Sequence, residues 1–357
     1  MPQKKTAEIK SELLRNRYML EFDFEKFSGF YHSHIEPQLF DLEKERKKIY
    51  WYFFILDSIF ILTIIIFIIL FILFWFFRDF VHLNDEQVIV LWVGIPFSLL
   101  IFLFLIHGLV DDFFIKKQKK YIRSLKTKAY KKIFKLFDLE YSKSTSPEFV
   151  DYQNTVLKYI SKDKKINIKI FTYIMRFEDE ISGIFKDIPF KLCDATIIKQ
   201  HKIKCEVDKG ETPIFQGLMF AVKLNKIFDK ETVIKTDNFN LFNIKKNLVK
   251  LEDNEFNKRF KVYADNEVEA RYIITPSFME RLKNFHKNKK DKTIIFFDSK
   301  CSESKNMYVL TNTGKDNFEI PFNKSILNEK YYYNLLKELV DMLEIAVALK
   351  LEQNIGL

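Results

Sequence analysis

The sequence has few cysteines, and they form no recognisable framework. Only three occur, Cys193, Cys205 and Cys301, and none lies in a CxxC pair or at metal-ligand spacing from a histidine. An odd number of cysteines without a pattern argues against a disulfide scaffold and a structural zinc site. We therefore expect free thiols, as in proteins of a reducing compartment.

Glycine is also scarce, and no glycine-rich phosphate loop is present. The chain has 8 glycines in 357 residues and lacks the Walker, GxGxxG, GxSxG, HExxH and EF-hand patterns. The six histidines are scattered along the chain: His32, His34, His82, His107, His201 and His286. We expect no cofactor and no metal site, and the sequence assigns no catalytic residue.

The positive charge of the chain is concentrated in one short segment. The formal net charge is +10, from 58 basic and 48 acidic residues. Between residues 116 and 135 no acidic residue occurs, while ten basic ones do: Lys116, Lys117, Lys119, Lys120, Arg123, Lys126, Lys128, Lys131, Lys132 and Lys135. This run equals the whole excess, so the rest of the chain is balanced and no nucleic-acid partner is expected.

Two long apolar runs lie close together near the start of the chain. The first extends from Trp51 to Phe77 with Asp57 as its one ionisable residue, and the second extends from Val88 to Val110. About 20 apolar residues are enough to cross a hydrocarbon core of roughly 30 Å. The sequence therefore predicts a transmembrane hairpin, with helices over residues 50–77 and 88–110 and a kink at Pro96.

Charges beside the two runs predict the orientation of the hairpin. Lysines and an arginine occur just before residue 50, and the basic run follows residue 110, whereas the connector, residues 78–87, has one arginine and three acids. The positive-inside rule then places both termini in the cytoplasm and residues 78–87 outside. Residues 1–49 form a charged, helical cytoplasmic segment, too long for the first region of a cleaved signal peptide.

Asp57 and His107 are the ionisable side chains inside the predicted spans. Asp57 lies about 9 Å along its helix from Trp51, and His107 lies at a similar depth on the antiparallel helix. We hypothesise that they form an intramembrane polar pair, because a carboxylate in a membrane generally needs a partner. The alternative is that Asp57 reaches the headgroups or stays neutral.

Residues 111–140 read as a basic amphipathic helical stalk that continues the second helix. Basic residues just beyond a membrane helix attract anionic headgroups at about 1 kcal/mol each. The candidate anionic-lipid contacts are Lys116, Lys117, Lys119, Lys120 and Arg123. Alternatively, these charges only set the topology, and the aromatic residues of the stalk pack on the N-terminal segment.

Residues 141–357 are predicted to form a cytoplasmic α+β domain. Alternating β-branched and aromatic residues predict strands at 188–198, 212–224, 232–236, 293–297 and 307–311. Helices are expected at 148–161, after Asp265 as a cap, from Thr275-Pro276, and over 329–353. The predicted fold class is thus α+β: a membrane hairpin and stalk, then a mixed, mostly antiparallel sheet closed by a long C-terminal helix. A PH-like barrel would also suit this pattern.

Two segments of the domain, residues 211–226 and 256–282, resemble the bacterial family named domain of unknown function 3137. The motif positions in this chain are Gly217, Glu267, Glu269, Arg271, Tyr272 and Pro276. The resemblance implies a multi-pass protein of the bacterial cytoplasmic (inner) membrane. It also implies a protein partner, a LemA-type membrane protein, because some members are encoded beside one. The family has no established catalytic residues to transfer.

Three functions are compatible with the sequence. The first is a membrane-tethered binding or scaffold domain. The second is a tethered enzyme acting on lipids or envelope precursors, and the third is a subunit of an oligomeric channel or transporter with Asp57 lining the path. Glu267 and Arg271, at i and i+4, are interpreted first as a solvated ion pair and second as part of an acid/base site.

Overall fold

The computed structural model describes residues 24–77, 95–160, 171–185, 188–201, 212–224, 228–287, 292–298 and 305–351. The chain divides into two compact units. The helix-pair unit consists of Glu36–Lys126 and Ile320–Leu327, and the sheet unit consists of Met1–Ile35, Thr127–Glu319 and Asn328–Leu357. The predicted connector 78–87, residues 88–94 of the second predicted span, Cys205 and Cys301 lie outside the described residues.

The described helices are numbered in chain order. They are α1 (Phe24–Phe30), α2 (Glu36–Phe77), α3 (Ile95–Ser124), α4 (Lys131–Lys135), α5 (Pro147–Lys158), α6 (Asn254–Arg259), α7 (Glu267–Ile273), α8 (Pro276–Phe285) and α9 (Glu329–Leu351). Two π-helical segments, Tyr31–Ile35 and Leu125–Tyr130, follow α1 and α3. The predicted C-terminal helix is thus confirmed as α9.

The helix-pair unit is built on α2 and α3, which are long and apolar enough to cross a membrane. After Pro37, in its first turn, α2 contains no glycine or proline, so nothing in the sequence interrupts its 42 residues. None of the most apolar 18-residue stretch of α2 is buried, and only 6% of that of α3 is. These faces therefore do not form the core of the described structure.

The sheet unit contains nine described strands in one sheet. They are β1 (Glu140–Ser142), β2 (Phe171–Phe185), β3 (Ile188–His201), β4 (Thr212–Leu224), β5 (Thr232–Thr236), β6 (Asn247–Val249), β7 (Phe260–Ala264), β8 (Lys292–Asp298) and β9 (Lys305–Asn312). Their order is β1-β2-β3-β4-β9-β8-β5-β7-β6, and every described pairing is antiparallel. The predicted α+β class is confirmed, as a linear sheet rather than a PH-like barrel.

Helices cover both faces of this sheet, because successive strand residues point to opposite sides. On one face Tyr152 of α5 stacks on Tyr308 of β9, with ring centroids 3.7 Å apart. On the other face Phe278 of α8 lies 6.0 Å from Phe297 of β8. Two buried faces explain why strands such as β8 are almost continuously apolar.

All five predicted strands are found, as β3, β4, β5, β8 and β9, whereas β1, β2, β6 and β7 were not predicted. The prediction that Asp265 caps a helix is wrong. The cap of α7 is Asn266, whose side chain accepts hydrogen bonds from the N–H groups of Val268 and Glu269. Thr275 and Pro276 begin α8 as predicted, since the Thr275 hydroxyl accepts from the N–H of Phe278.

Candidate functional site

A chain of three polar side chains joins α2 to α3 in the helix-pair unit. His107 Nε2 lies 3.3 Å from Asp57 Oδ1, and His107 Nδ1 lies 3.0 Å from Asp111 Oδ2. The structure thus brings together Asp57 and His107, and it adds Asp111, which sequence reasoning missed. The available signal was the i, i+4 spacing of His107 and Asp111 on one helix.

The surroundings of this polar chain are apolar. The Phe60 ring lies 3.9 Å from the His107 imidazole, centroid to centroid, and the Asp57 side chain is 43% exposed on the apolar surface of α2. One imidazole thus contacts a carboxylate through each of its two ring nitrogens. Any functional role for Asp57, His107 and Asp111 stays a prediction.

A buried ion pair, the Glu43–Arg46 clamp, ties α2 to the segment Ile320–Leu327. Arg46 donates to both Glu43 carboxylate oxygens, at 2.9 and 2.7 Å, and to the carbonyl of Phe322 at 2.7 Å. Glu43 also accepts from the Ser325 hydroxyl and the Ile326 N–H, at 3.0 and 3.1 Å. Glu43 is 2% exposed and Arg46 6%.

The clamp fixes the charge of Glu43. Burial by itself raises the pKa of this carboxyl, but the hydrogen bonds from Arg46, Ile326 and Ser325 outweigh it and hold the pKa below its ordinary value. Glu43 is therefore ionised in the folded protein at neutral pH. Its i, i+3 spacing to Arg46 is that of an ordinary surface pair, so no local pattern indicates that the pair is buried.

A pocket of about 520 Å³ lies between α2, α3 and the segment Ile320–Leu327. Its wall is formed by Ile49, Tyr50, Phe53, Asp111, Phe114, Ile115, Gln118, Phe322 and Asn323. Most of these side chains are apolar or aromatic, with polar groups from Asp111, Gln118 and Asn323. In the described structure the buried Oδ1 of Asp111 has no hydrogen-bond donor. We call this site the interface pocket.

The five predicted lipid contacts are all on the surface of α3. Lys116, Lys117, Lys119, Lys120 and Arg123 are exposed. The Lys117 ammonium lies 5.9 Å from the centroid of the exposed Phe113 ring. The side chains therefore reach the surface of α3, and their contact with anionic lipid stays a prediction.

A carboxylate cluster, Asp179, Asp194 and Asp316, lies in the sheet unit, with oxygens within 4.8 Å of one another. Asp179 sits at an irregularity of β2, where φ is 57°, a backbone conformation that Asp tolerates better than most residues. The Tyr141 hydroxyl donates to Asp179. Burial, and the hydrogen bond and negative charge of Asp316, raise the pKa of Asp194 to about 9.

Three carboxylates at this spacing can hold either a hard cation or a shared proton. The protein already supplies donors: the N–H groups of Asn317 and Phe318 and the Asn317 amide all donate to Asp194, at 3.1–3.3 Å. With Asp194 protonated against Asp316, the cluster fastens the turn after β9 to β3. Sequence reasoning missed the cluster, whose members share no local pattern.

The family-like motif positions form surface and packing contacts in the sheet unit. Gly217 is buried in β4, where a Cβ would lie 2.0 Å from the carbonyl oxygen of Thr311. The exposed Pro276 is in the first turn of α8, and Tyr272 is 57% exposed. Glycine at position 217 is thus required by the close approach of two strands.

Arg271 is the centre of the polar part of this motif. It donates to Glu267 at 2.7 Å, to the Lys250 carbonyl at 2.7 Å, and to Glu252. Glu269 instead accepts from the N–H of Lys230 at 2.9 Å. These contacts connect α7 to the neighbouring loops, as expected of a solvated, ion-paired face.

Comparison with known proteins gives one family match. Residues 213–351 match the family described as "Protein of unknown function (DUF3137)", which confirms the resemblance over these residues. No curated protein matches the chain. A solved structure described as the mycobacterial trehalose monomycolate transport factor A, TtfA, aligns with 10% identity and a TM-score of 0.26, over 59% of this chain and 90% of that one. A likeness at that TM-score carries no conclusion about this chain.

Proposed function

We propose that this chain, whose residues 213–351 match the DUF3137 family, is anchored in a bacterial cytoplasmic membrane by α2 and α3 and serves as a binding or scaffold module at the cytoplasmic face. Both termini are then cytoplasmic, and the connector between the two helices is outside. The binding role belongs to the sheet unit. Its partner is a membrane-associated protein, for which a LemA-type protein is the first candidate.

The observation that carries the membrane proposal is the exposure of the two apolar helices. Large apolar side chains such as Ile61, Ile72 and Leu105 are 52–63% exposed to the surroundings. Apolar patches of this extent are not stable in water, whereas a hydrocarbon environment covers them at no cost. The alternative of buried core helices does not agree with that exposure.

The polar groups of the helix pair support the same proposal. Asp57 lies within the apolar part of α2 and is paired with His107 across the two helices, as ionisable groups in membranes usually are. Trp51 and Tyr52 are exposed and lie about one to two helical turns before Asp57. Amphipathic aromatic rings of this kind favour the membrane–water interface. The lysines before Trp51 and in the basic run then favour the cytoplasmic side for both ends.

The binding role is supported by how the family-like motif is used. Arg271 binds the Lys250 carbonyl of a neighbouring segment and is paired with Glu267, so the motif helps to shape the surface around α7. Exposed Val268, 77% accessible, lies on the same helix. A protein that presents such a surface from a membrane anchor is suited to recruiting a partner.

Membrane extraction tests the anchor, and photocrosslinking in cells tests the partner. We expect the chain to stay in the membrane fraction after alkaline carbonate washing and to be released only by detergent. A photoreactive residue at Val268 is expected to capture a discrete membrane protein, while one at exposed Asn254 serves as control. The full chain is needed, because Ile320–Leu327 completes the helix-pair unit.

A carbonate-soluble chain would contradict the anchor. Equal capture from positions 268 and 254, or none from either, would contradict the binding role alone.

An oligomeric channel or transporter subunit is a second candidate, favoured by the polar chain Asp57–His107–Asp111. Two helices leave no room for a pore within one chain, so this function requires an oligomer. Native mass measurement in detergent is the test: a monomer or dimer excludes the channel. A tethered enzyme has less support, because the carboxylate cluster, the densest acidic group in the described residues, already has protein donors.

A further inference from the structure

We infer that the interface pocket binds an anionic phospholipid of the cytoplasmic leaflet, with an acyl chain inside the pocket and the phosphate beside Lys47 and Lys119. The inference rests on the proposed membrane anchor and adds a specific lipid site to it. It concerns a site within the helix-pair unit and one ligand class.

The position of the pocket along the helices places it at the membrane surface. Its walls include Tyr50 and Phe53, which bracket the exposed Trp51, and it lies beyond the Asp57–His107 pair toward the basic run. Tyr and Trp side chains favour the level of the headgroups. The pocket is therefore at the depth where a phospholipid changes from polar headgroup to hydrocarbon.

The chemistry of the wall suits an acyl chain. Ile49, Phe114 and Ile115 contribute aliphatic and aromatic surface, and the volume of about 520 Å³ is within the about 300–1,000 Å³ typical of small-molecule sites. Two wall residues, Phe53 and Ile115, are themselves 37% and 46% exposed, so an acyl chain can enter the pocket from the proposed bilayer along an apolar surface.

The charges near the pocket suit a phosphate. Lys47 precedes Tyr50 by three residues and Lys119 follows Ile115 by four, so each lysine is the surface neighbour of one wall residue, one turn toward the proposed cytoplasmic end. Both are exposed. A lipid whose tail occupies the pocket therefore has its phosphate at the level of these two cations, and each such contact favours an anionic headgroup.

One polar atom of the wall points to an occupant from outside the chain. Asp111 has a side chain that is 40% exposed, and its Oδ2 is paired with His107; its Oδ1 atom is covered by protein and, in the described structure, has no donor. Buried acceptors are almost always hydrogen-bonded in folded proteins. A hydroxyl of the lipid, or a water held under it, supplies the donor that is lacking.

The test is native mass spectrometry of the full chain released from nanodiscs. One set contains phosphatidylcholine alone, and the other contains phosphatidylcholine with phosphatidylglycerol in equal parts. We expect one phosphatidylglycerol per chain to survive release, with at least tenfold preference over phosphatidylcholine. Ile115→Trp, which fills the pocket, is expected to reduce this retention at least tenfold, and Gln118→Trp is a second pocket-filling variant.

Matched controls separate the pocket from the general lipid surface. Leu105→Trp makes the same change at an exposed apolar position of α3 outside the pocket and is expected to leave retention unchanged. Lys47→Gln with Lys119→Gln should abolish the headgroup preference, whereas Lys131→Gln with Lys132→Gln, exposed lysines of the same basic run, should not.

Equal retention of the two lipids, or equal loss in Ile115→Trp and Leu105→Trp, would overturn the inference, as would a bound peptide in place of lipid. A chain that stays in carbonate-washed membranes but retains no lipid contradicts the lipid site only. A chain that washes off the membrane contradicts the anchor itself.

Discussion

The helix-pair unit and the sheet unit each bury a carboxyl group, and the two groups end in opposite protonation states. Glu43 faces Arg46, which outweighs burial and lowers the carboxyl pKa. Asp194 faces Asp316, another acid, so burial and the like charge both raise its pKa. The comparison shows that burial alone does not decide charge in this protein; the partner does.

The two groups have different structural consequences. The ionised Glu43 holds a segment from far along the chain, at Ser325 and Ile326, against α2. The protonated Asp194 holds the turn at Asn317 and Phe318 against β3. Both carboxyl groups bind segments that are distant in sequence. The contacts of Glu43 depend on the charge of Arg46, and those of Asp194 depend on its bound proton.

Removing the positive charge of Arg46 should produce the largest loss of stability. Arg46→Ala leaves Glu43 buried without its counter-charge, and breaking a buried ion pair in this way costs about 3–5 kcal/mol. We expect that loss in the free energy of unfolding, measured by denaturant titration of the full chain in micelles. The double variant Glu43→Leu with Arg46→Met should recover much of it, since no unpaired charge remains. Equal losses in the single and double variants would show that the charge is not responsible.

Alanine substitutions at Gly217 in the sheet unit and Gly108 in the helix-pair unit test how tightly each site is packed. Gly217→Ala places a methyl group 2.0 Å from the Thr311 carbonyl oxygen, so two paired strands must separate. We expect a loss of about 1–3 kcal/mol or more in the free energy of unfolding. Gly108→Ala on α3 meets no atom within 4 Å and should cost no stability, because alanine favours a helix more than glycine does. Similar effects at both positions would contradict the close strand approach.

The protonated Asp194 predicts a pH dependence of stability. Its pKa in the folded protein is near 9, above the ordinary value of about 3.9, so between those pH values the folded state binds a proton that the unfolded state has lost. Stability from this group therefore falls as pH rises from about 4 to 9, by up to about 1.4 kcal/mol per pH unit.

Denaturant titrations at several pH values measure that slope. Asp194→Asn cannot titrate and should flatten it. Glu43→Gln should leave this window unchanged, because the pKa of Glu43 is lowered and its contribution is lost only as pH falls below about 4. An unchanged slope in Asp194→Asn would show that the cluster does not share a proton.

The smallest effect on stability is expected from the exposed ion pair of Glu267 and Arg271. A double-mutant cycle with alanine should give a coupling free energy close to the error of the measurement, since exposed ion pairs are screened by solvent. A much larger coupling would favour the acid/base interpretation of the motif over the solvated face.

The sequence allowed different amounts of prediction in the two units. The apolar runs of α2 and α3 are local patterns, and so the helices and the proximity of Asp57 and His107 were within reach of sequence reasoning. The burial of Glu43 depends on contacts with Ile326, which is 283 residues away. No local pattern encodes that contact, and the pair therefore resembled a surface pair.

In the sheet unit, too, contacts between distant residues could not be predicted from local sequence patterns. The central strands were predicted from alternation, but β2 carries Glu178, Asp179 and Glu180 at its irregular point, which interrupts the apolar pattern. Asp194 and Asn317, 123 residues apart, meet only after β3 and the turn following β9 are in place. The carboxylate cluster was therefore not predictable from spacing.

The measurement that tests the central claim most directly is thiol labelling of intact cells with a membrane-impermeant maleimide. Cys205 and Cys301 are replaced by serine, and Cys193 is kept, because it is buried in the sheet unit and its thiol pKa is raised, which makes it unreactive. A single cysteine is then placed at Gln87, in the connector, or at the exposed Ser277. We predict labelling of Gln87→Cys in intact cells, and of Ser277→Cys only after the membrane is permeabilised. Labelling of Ser277→Cys in intact cells, or protection of both until permeabilisation, would contradict a double span with the sheet unit in the cytoplasm.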